Sequence, residues 1–141
     1  MPFPQKSAMV MAGILVVVYG AYFAWMGWWQ ATTPVEDIPF QPLMILIVIP
    51  LVILAVAGQV ILALFAPGDA NAWDERDREI ERRSGQPAGY ILAVTVFGGI
   101  VLAMFEVDLF YIANALLLGW VIAQVIEYLL TVEFYRRGVG A

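Results

Sequence analysis

The chain alternates between long apolar runs and short polar interruptions. Met1 to Lys6 is a brief polar start holding Pro2 and Pro4. From Ser7 to Trp29 every residue is apolar, small or aromatic. As a helix this run is about 35 Å long, enough to cross a bilayer core of about 30 Å. It is too long for a signal peptide and no A-x-A pattern follows it, so a retained first span is expected. Gln30 to Pro42 reads as a loop, broken by Thr33-Pro34, Ile38-Pro39 and Gln41-Pro42. A second span is predicted from Leu43 to Phe65, kinked at Pro50, where the carbonyl of Leu46 loses its donor. Pro67-Gly68 should end it. Third and fourth spans are predicted from Ala88 to Phe105 and from Leu109 to Tyr135, with a tight turn at Glu106-Val107-Asp108 between them.

Between spans two and three lies a charged stretch, Trp73 to Gly85. The pattern predicts a short amphipathic surface helix over residues 71–84, with Asn71 as N-cap. Asp74/Arg78 and Glu79/Arg83 are i,i+4 pairs in the favourable order. Trp73 and Ile80 share one face, and Gly85 and Pro87 should stop the helix. The fold class is therefore all-α: one integral membrane bundle of four transmembrane helices over residues 1–141.

Charge sets the orientation. With four spans, all seven basic residues (Lys6, Arg76, Arg78, Arg82, Arg83, Arg136 and Arg137) fall on one side. The two opposite loops carry Glu36, Asp37, Glu106 and Asp108 and no base. The positive-inside rule then puts both termini and the charged helix in the cytoplasm, the protein being multi-pass in the inner membrane. Aromatic belts are expected to agree, with Trp25, Trp28, Trp29, Phe40, Phe110 and Tyr111 outside and Trp73, Tyr90 and Tyr135 inside.

Two further patterns lie within the spans. Val56 to Leu64 aligns with Val121 to Leu129, matching Gln59 to Gln124, as two parallel hairpin repeats would; chance alignment of apolar spans is the alternative. Ala115, Gly119 and Ala123 form a small-residue stripe in the fourth span, and Gly13, Gly20 and Gly27 recur every seven residues in the first. Such stripes let helix backbones approach closely. Packing within the chain is the first reading, a homodimer face the second. Glu127 continues the fourth-span stripe and should face protein near the cytoplasmic edge. Gln59 and Gln124 reach similar depth, which predicts an inner-leaflet polar cluster of Gln59, Gln124 and Glu127. An intramembrane carboxylate is a functional-site candidate by default. Thr95 and Asn114 stand isolated.

Composition narrows the chemistry. The chain is 62% hydrophobic and 13% charged, with net charge −5 and neither Cys nor His. No thiolate or imidazole can ligate a metal, haem or iron–sulfur cluster, and no cofactor is expected. No nucleophile–base set can be assembled, so an enzyme is not expected. The acidic balance without a basic tract argues against direct nucleic-acid binding.

The run Asp74-Glu75-Arg76-Asp77 with Ile80 three residues later, set between two pairs of spans, and the ending Tyr135-Arg136-Arg137-Gly138 resemble the DUF2178-like group of small four-span prokaryotic membrane proteins. That group carries a D-E-R-[DE]-x-x-I signature between spans two and three and a Y-R-R-G type of ending. The resemblance spans roughly residues 74 to 138; the first two spans match only in kind. It implies no established activity and no catalytic residues. Members are often encoded beside small helix-turn-helix regulators, which implies a membrane partner for a regulator. Three functional readings follow. The first is an interaction protein whose cytoplasmic helix docks a partner such as a regulator. The second is an accessory subunit packed through its small-residue stripes. The third is a small dimeric transporter or channel working through Glu127.

Overall fold

The computed structural model describes residues 3–65 and 75–137. Four helices are long and apolar enough to cross a membrane: α1 (Phe3–Thr32), α2 (Phe40–Phe65), α3 (Glu75–Met104) and α4 (Leu109–Arg137). The Asn71 cap, Trp73, Asp74 with its pair to Arg78, the Pro67-Gly68 stop and the terminal Gly138 and Gly140 lie outside the described residues.

One expectation is corrected. No separate surface helix ends at Gly85: α3 runs unbroken for 30 residues through Gly85 and Pro87, about 45 Å of helix. The local signals are real. An interior proline costs about 3 kcal/mol and a glycine about 1 kcal/mol relative to alanine. Packing overrides them. Asp77, Ile80, Ser84 and Ala88 are buried and, at spacings of three and four, lie on one stripe of α3. A break at Gly85–Pro87 would swing the first half of that stripe out of the protein. The charged stretch from Glu75 on is thus the continuation of a span.

Of the other boundaries, α1 extends at both ends, α2 at its start and α4 at its end, while α3 closes at Met104, one residue before the expected Phe105. The expected first loop is shorter, because α1 continues to Thr32 and α2 begins at Phe40. Between them sits one 3-10 turn, Val35–Asp37, closed by the Ile38 amide on the Val35 carbonyl at 3.2 Å. Pro42 falls in the first turn of α2, where a missing N–H costs nothing. The α3–α4 turn is closed by two backbone bonds, Glu106 N to Ala103 O at 3.0 Å and Val107 N to Leu102 O at 3.2 Å. This Schellman geometry needs a left-handed residue, and Glu106 supplies it with φ 55°.

The principal helix neighbours run α3–α4–α1–α2, with α1 and α4 inside. A two-fold hairpin repeat would match the α1–α4 pairing with one between α3 and α2, which is not among the principal neighbours. The core lies between α1, α4 and the first half of α2, around Leu15, Tyr19, Tyr22, Met26, Phe40, Phe110 and Val121. Phe40 and Phe110 meet edge to face at 5.5 Å. These two rings and Tyr135 are buried, not belt residues as expected. Trp25, Trp28, Tyr111 and Tyr90 do face outward, and Trp25 stacks on Trp29 at 5.8 Å.

The small-residue stripes divide. A Cβ on Gly119 would lie 2.1 Å from Thr95 Oγ1, so α3 and α4 touch there at backbone range. Ala123 is fully buried, while Ala115 is exposed. Gly13, Gly20 and Gly27 are exposed, and a Cβ added at any of them would meet nothing within 4 Å, so this stripe makes no close helix approach among the described residues. Asn114 is not isolated, because the Tyr22 hydroxyl donates to its Oδ1 at 2.8 Å, whereas Thr95 donates only within its own helix, to the Ile91 carbonyl at 2.8 Å.

Candidate functional site

One end of the protein gathers the start of α1, the end of α2, the start of α3 and the end of α4. Two constructions stand there: a clasp and a cavity.

The clasp joins α3 to the end of α4. The Tyr135 hydroxyl donates a short hydrogen bond to Asp77 Oδ1. Arg76 Nη2 donates to the Tyr135 carbonyl at 3.1 Å, and its guanidinium lies 5.3 Å from the Tyr135 ring centroid, in cation–π range. Ile80, one turn along from Arg76 and Asp77, is completely buried. Asp77 is 8% exposed and Tyr135 7%. Four residues that carry the sequence resemblance (Arg76, Asp77, Ile80 and Tyr135) are thus engaged with each other's helices. Glu75, Arg136 and Arg137 remain exposed.

Around the clasp runs a charged rim. Glu79 accepts from Arg82 Nη2 at 2.7 Å and from Arg83 Nε at 2.7 Å. Hydrogen bonds from Arg82 and then Arg83 hold its carboxyl down at about 2. Glu133 pairs with Arg136 at 3.8 Å and with Arg137. Exposed pairs of this kind add little stability, but they fix the pattern of charge along the two helix ends.

The cavity lies beside the clasp and holds about 300 Å³. Phe3, Pro4, Ser7 and Ala8 of α1 form one wall, Asp77, Ile80 and Glu81 of α3 a second, and Glu127, Tyr128, Thr131 and Tyr135 of α4 the third. Glu127 sits where α3 carries no side chain: a Cβ on Gly85 would lie 3.5 Å from Glu127 Oε1. Among the described residues neither Glu81 nor the Glu127 carboxylate takes part in a hydrogen bond or ion pair. The expected trio is dispersed. Gln59 Oε1 accepts from the Ser7 hydroxyl at 2.9 Å, and Ser7 also borders the cavity that Glu127 lines. Gln124, one turn before Glu127, is partly buried on α4 and does not border the cavity.

Sequence reasoning missed Ser7, Glu81, Tyr128 and Thr131. Ser7 looked like the first residue of an apolar run, and Glu81 like one more solvated charge. The continuity of α3 places Glu81, an exposed side chain, at the border of a cavity that α4 also lines. Among the described residues no group of acidic side chains is arranged to hold a metal ion.

Four membrane-length helices make this an integral membrane protein of the four-span type. The chain matches the family model described as "Predicted membrane protein (DUF2178)" over residues 5–139 and belongs to that family. The match includes the first two spans as well as the stretch that carries the resemblance. Neither a curated protein nor a solved structure matches the chain.

Proposed function

We propose that the protein is a non-enzymatic membrane protein that holds another protein at the cytoplasmic face of a prokaryotic inner membrane. The observation that carries this reading is the rim built on the clasp. Arg78, Arg82, Arg136 and Arg137 point outward from two helix ends that Arg76, Asp77 and Tyr135 tie together. A pre-organised charged surface loses little conformational freedom when a partner docks. Glu79 and Glu133 pair within the rim and Glu75 is exposed beside it, so a small regulator with a face of mixed charge fits it. The orientation rests on the basic residues: the charged end carries Lys6 and six arginines, and the opposite end Glu36, Asp37, Glu106 and Asp108 without a base.

The docking surface is narrower than the run from Asp74 to Ile80 suggests, because Asp77, Ile80 and Tyr135 are buried. Their role in this reading is to set the rim, not to touch the partner. The test is co-purification from native nanodiscs. Arg78→Glu with Arg82→Glu should abolish a stoichiometric partner without changing the yield of folded protein. Retention of the partner by that double variant would refute the reading.

An accessory subunit of a larger membrane complex is the second reading. It is favoured by the open face of Gly13, Gly20 and Gly27 on α1. In that case Gly20→Leu, and not the arginine reversals, should release the partner.

A further inference from the structure

We propose that the cavity at the charged end binds an amphipathic primary ammonium, a molecule that carries an –NH3⁺ group on an apolar body. This stands apart from the docking reading, which concerns the outer rim.

Among the described residues, every charged side chain that lines the cavity is a carboxylate. The end it sits in carries all seven basic residues of the chain, yet none of them lines the cavity. Its polar lining includes Glu81 and Glu127, whose carboxylates are not taken up by any hydrogen bond or ion pair among the described residues. Asp77 is different, being already held by Tyr135. Glu81 is exposed, whereas Glu127 is partly buried at the edge of a low-dielectric slab, where a carboxylate is costly unless a donor or a counter-charge meets it. Two carboxylates facing one space repel an anion and favour a cation.

The remaining walls select the kind of cation. Phe3, Ala8, Ile80 and Tyr128 give the cavity a mostly apolar surface. A hydrated metal ion gains nothing from such walls, and no metal-holding group is formed among the described residues. A primary ammonium has three N–H donors and can meet both carboxylates. Its apolar substituent can lie on the aromatic walls, and the ring faces attract the charge. At about 300 Å³ the space matches the lower end of small-molecule sites. The same chemistry is offered by a phosphatidylethanolamine headgroup and by a soluble amine.

The test uses phenethylammonium as probe. The full chain is reconstituted in phosphatidylglycerol nanodiscs, and binding is read by calorimetry against empty discs. Saturable binding of one probe per chain is expected, with no measurable binding of the neutral analogue phenethyl alcohol. Glu127→Gln should weaken binding at least tenfold and Glu81→Gln at least threefold, with circular dichroism unchanged. Glu127→Asp, which keeps the charge, should retain most of the affinity. Glu79→Gln, on the outer rim, should bind like the parent. Adding phosphatidylethanolamine to the discs separates the two sources: competition identifies a lipid headgroup as the occupant, and unchanged binding identifies a soluble amine. Equal binding of the alcohol, absence of saturable binding, or parent-like affinity in both glutamine variants would overturn the proposal.

Discussion

The Tyr135 hydroxyl donates to the Asp77 carboxylate, joining residues 58 positions apart in sequence. The bond ties the charged start of α3 to the last turns of α4. Tyr135→Phe removes the donor while keeping the ring that Arg76 covers. Loss of a hydrogen bond to a buried carboxylate should cost about 1–3 kcal/mol. Thermal unfolding in nanodiscs reads this directly. A phenylalanine variant as stable as the parent would mean that the bond adds nothing.

Gly119 and Thr95 set the distance between α3 and α4. A Cβ at Gly119 would meet Thr95 Cγ2 at 2.2 Å and Cβ at 2.7 Å, atoms next to the backbone with little room to yield. Gly119→Ala should therefore push the helices apart and destabilise by about 1–3 kcal/mol. Gly13→Ala meets no such neighbour and should leave the monomer's melting temperature unchanged or slightly higher. Equal effects of the two substitutions would contradict the division between the stripes.

Glu106 holds the α3–α4 turn in the left-handed region that favours glycine. Glu106→Gly relieves that strain but adds freedom to the unfolded chain. The net expectation is a gain of about 0.5–1 kcal/mol, measured as a higher midpoint of thermal unfolding. Destabilisation would show that the side chain contributes more than its backbone conformation costs.

Glu79 titrates low because Arg82 and Arg83 donate to it. A carboxylate with a lowered folded-state value stabilises the protein above its ordinary value of about 4.5. That contribution disappears as pH falls through about 2. The rim should accordingly keep its ion pairs across the physiological range. Carboxyl carbon shifts of Glu79 recorded against pH test this, and a midpoint near 4.5 would show that the pairs do not form in solution.

Much of the fold was legible because bilayer thickness imposes a coarse rule on sequence. Four apolar runs of spanning length can hardly be read otherwise, and Thr33-Pro34 and Ile38-Pro39 mark the first loop, although Gln41-Pro42 falls inside α2. The charged stretch misled for a physical reason. Gly85 and Pro87 are strong local stop signals, and the stripe of Asp77, Ile80, Ser84 and Ala88 that outweighs them only gains its value once α4 is beside it. Burial of Asp77 was equally hidden, since an aspartate among arginines reads as solvated. Tyr135 looked like a belt residue because its partner lies in another helix. Gly119 and Ala123 were readable as a packing face, whereas Gly13, Gly20 and Gly27, which recur every seven residues, meet no neighbour among the described residues. The cavity could not be read at all, because its three walls come from helices whose order of packing is not written in any one of them.

The claim on which the account depends is that the charged start of α3 is clasped rigidly to the end of α4. The chain has no cysteine, so paired labels can be placed without background. Spin labels at Arg78→Cys and Arg136→Cys, both exposed positions, report the separation of the two helix ends by pulsed electron resonance in nanodiscs. A single narrow distance distribution, broadened when Tyr135→Phe is added, is the predicted result. A broad distribution in the parent, unaffected by that substitution, would contradict the clasp and with it the pre-organised rim.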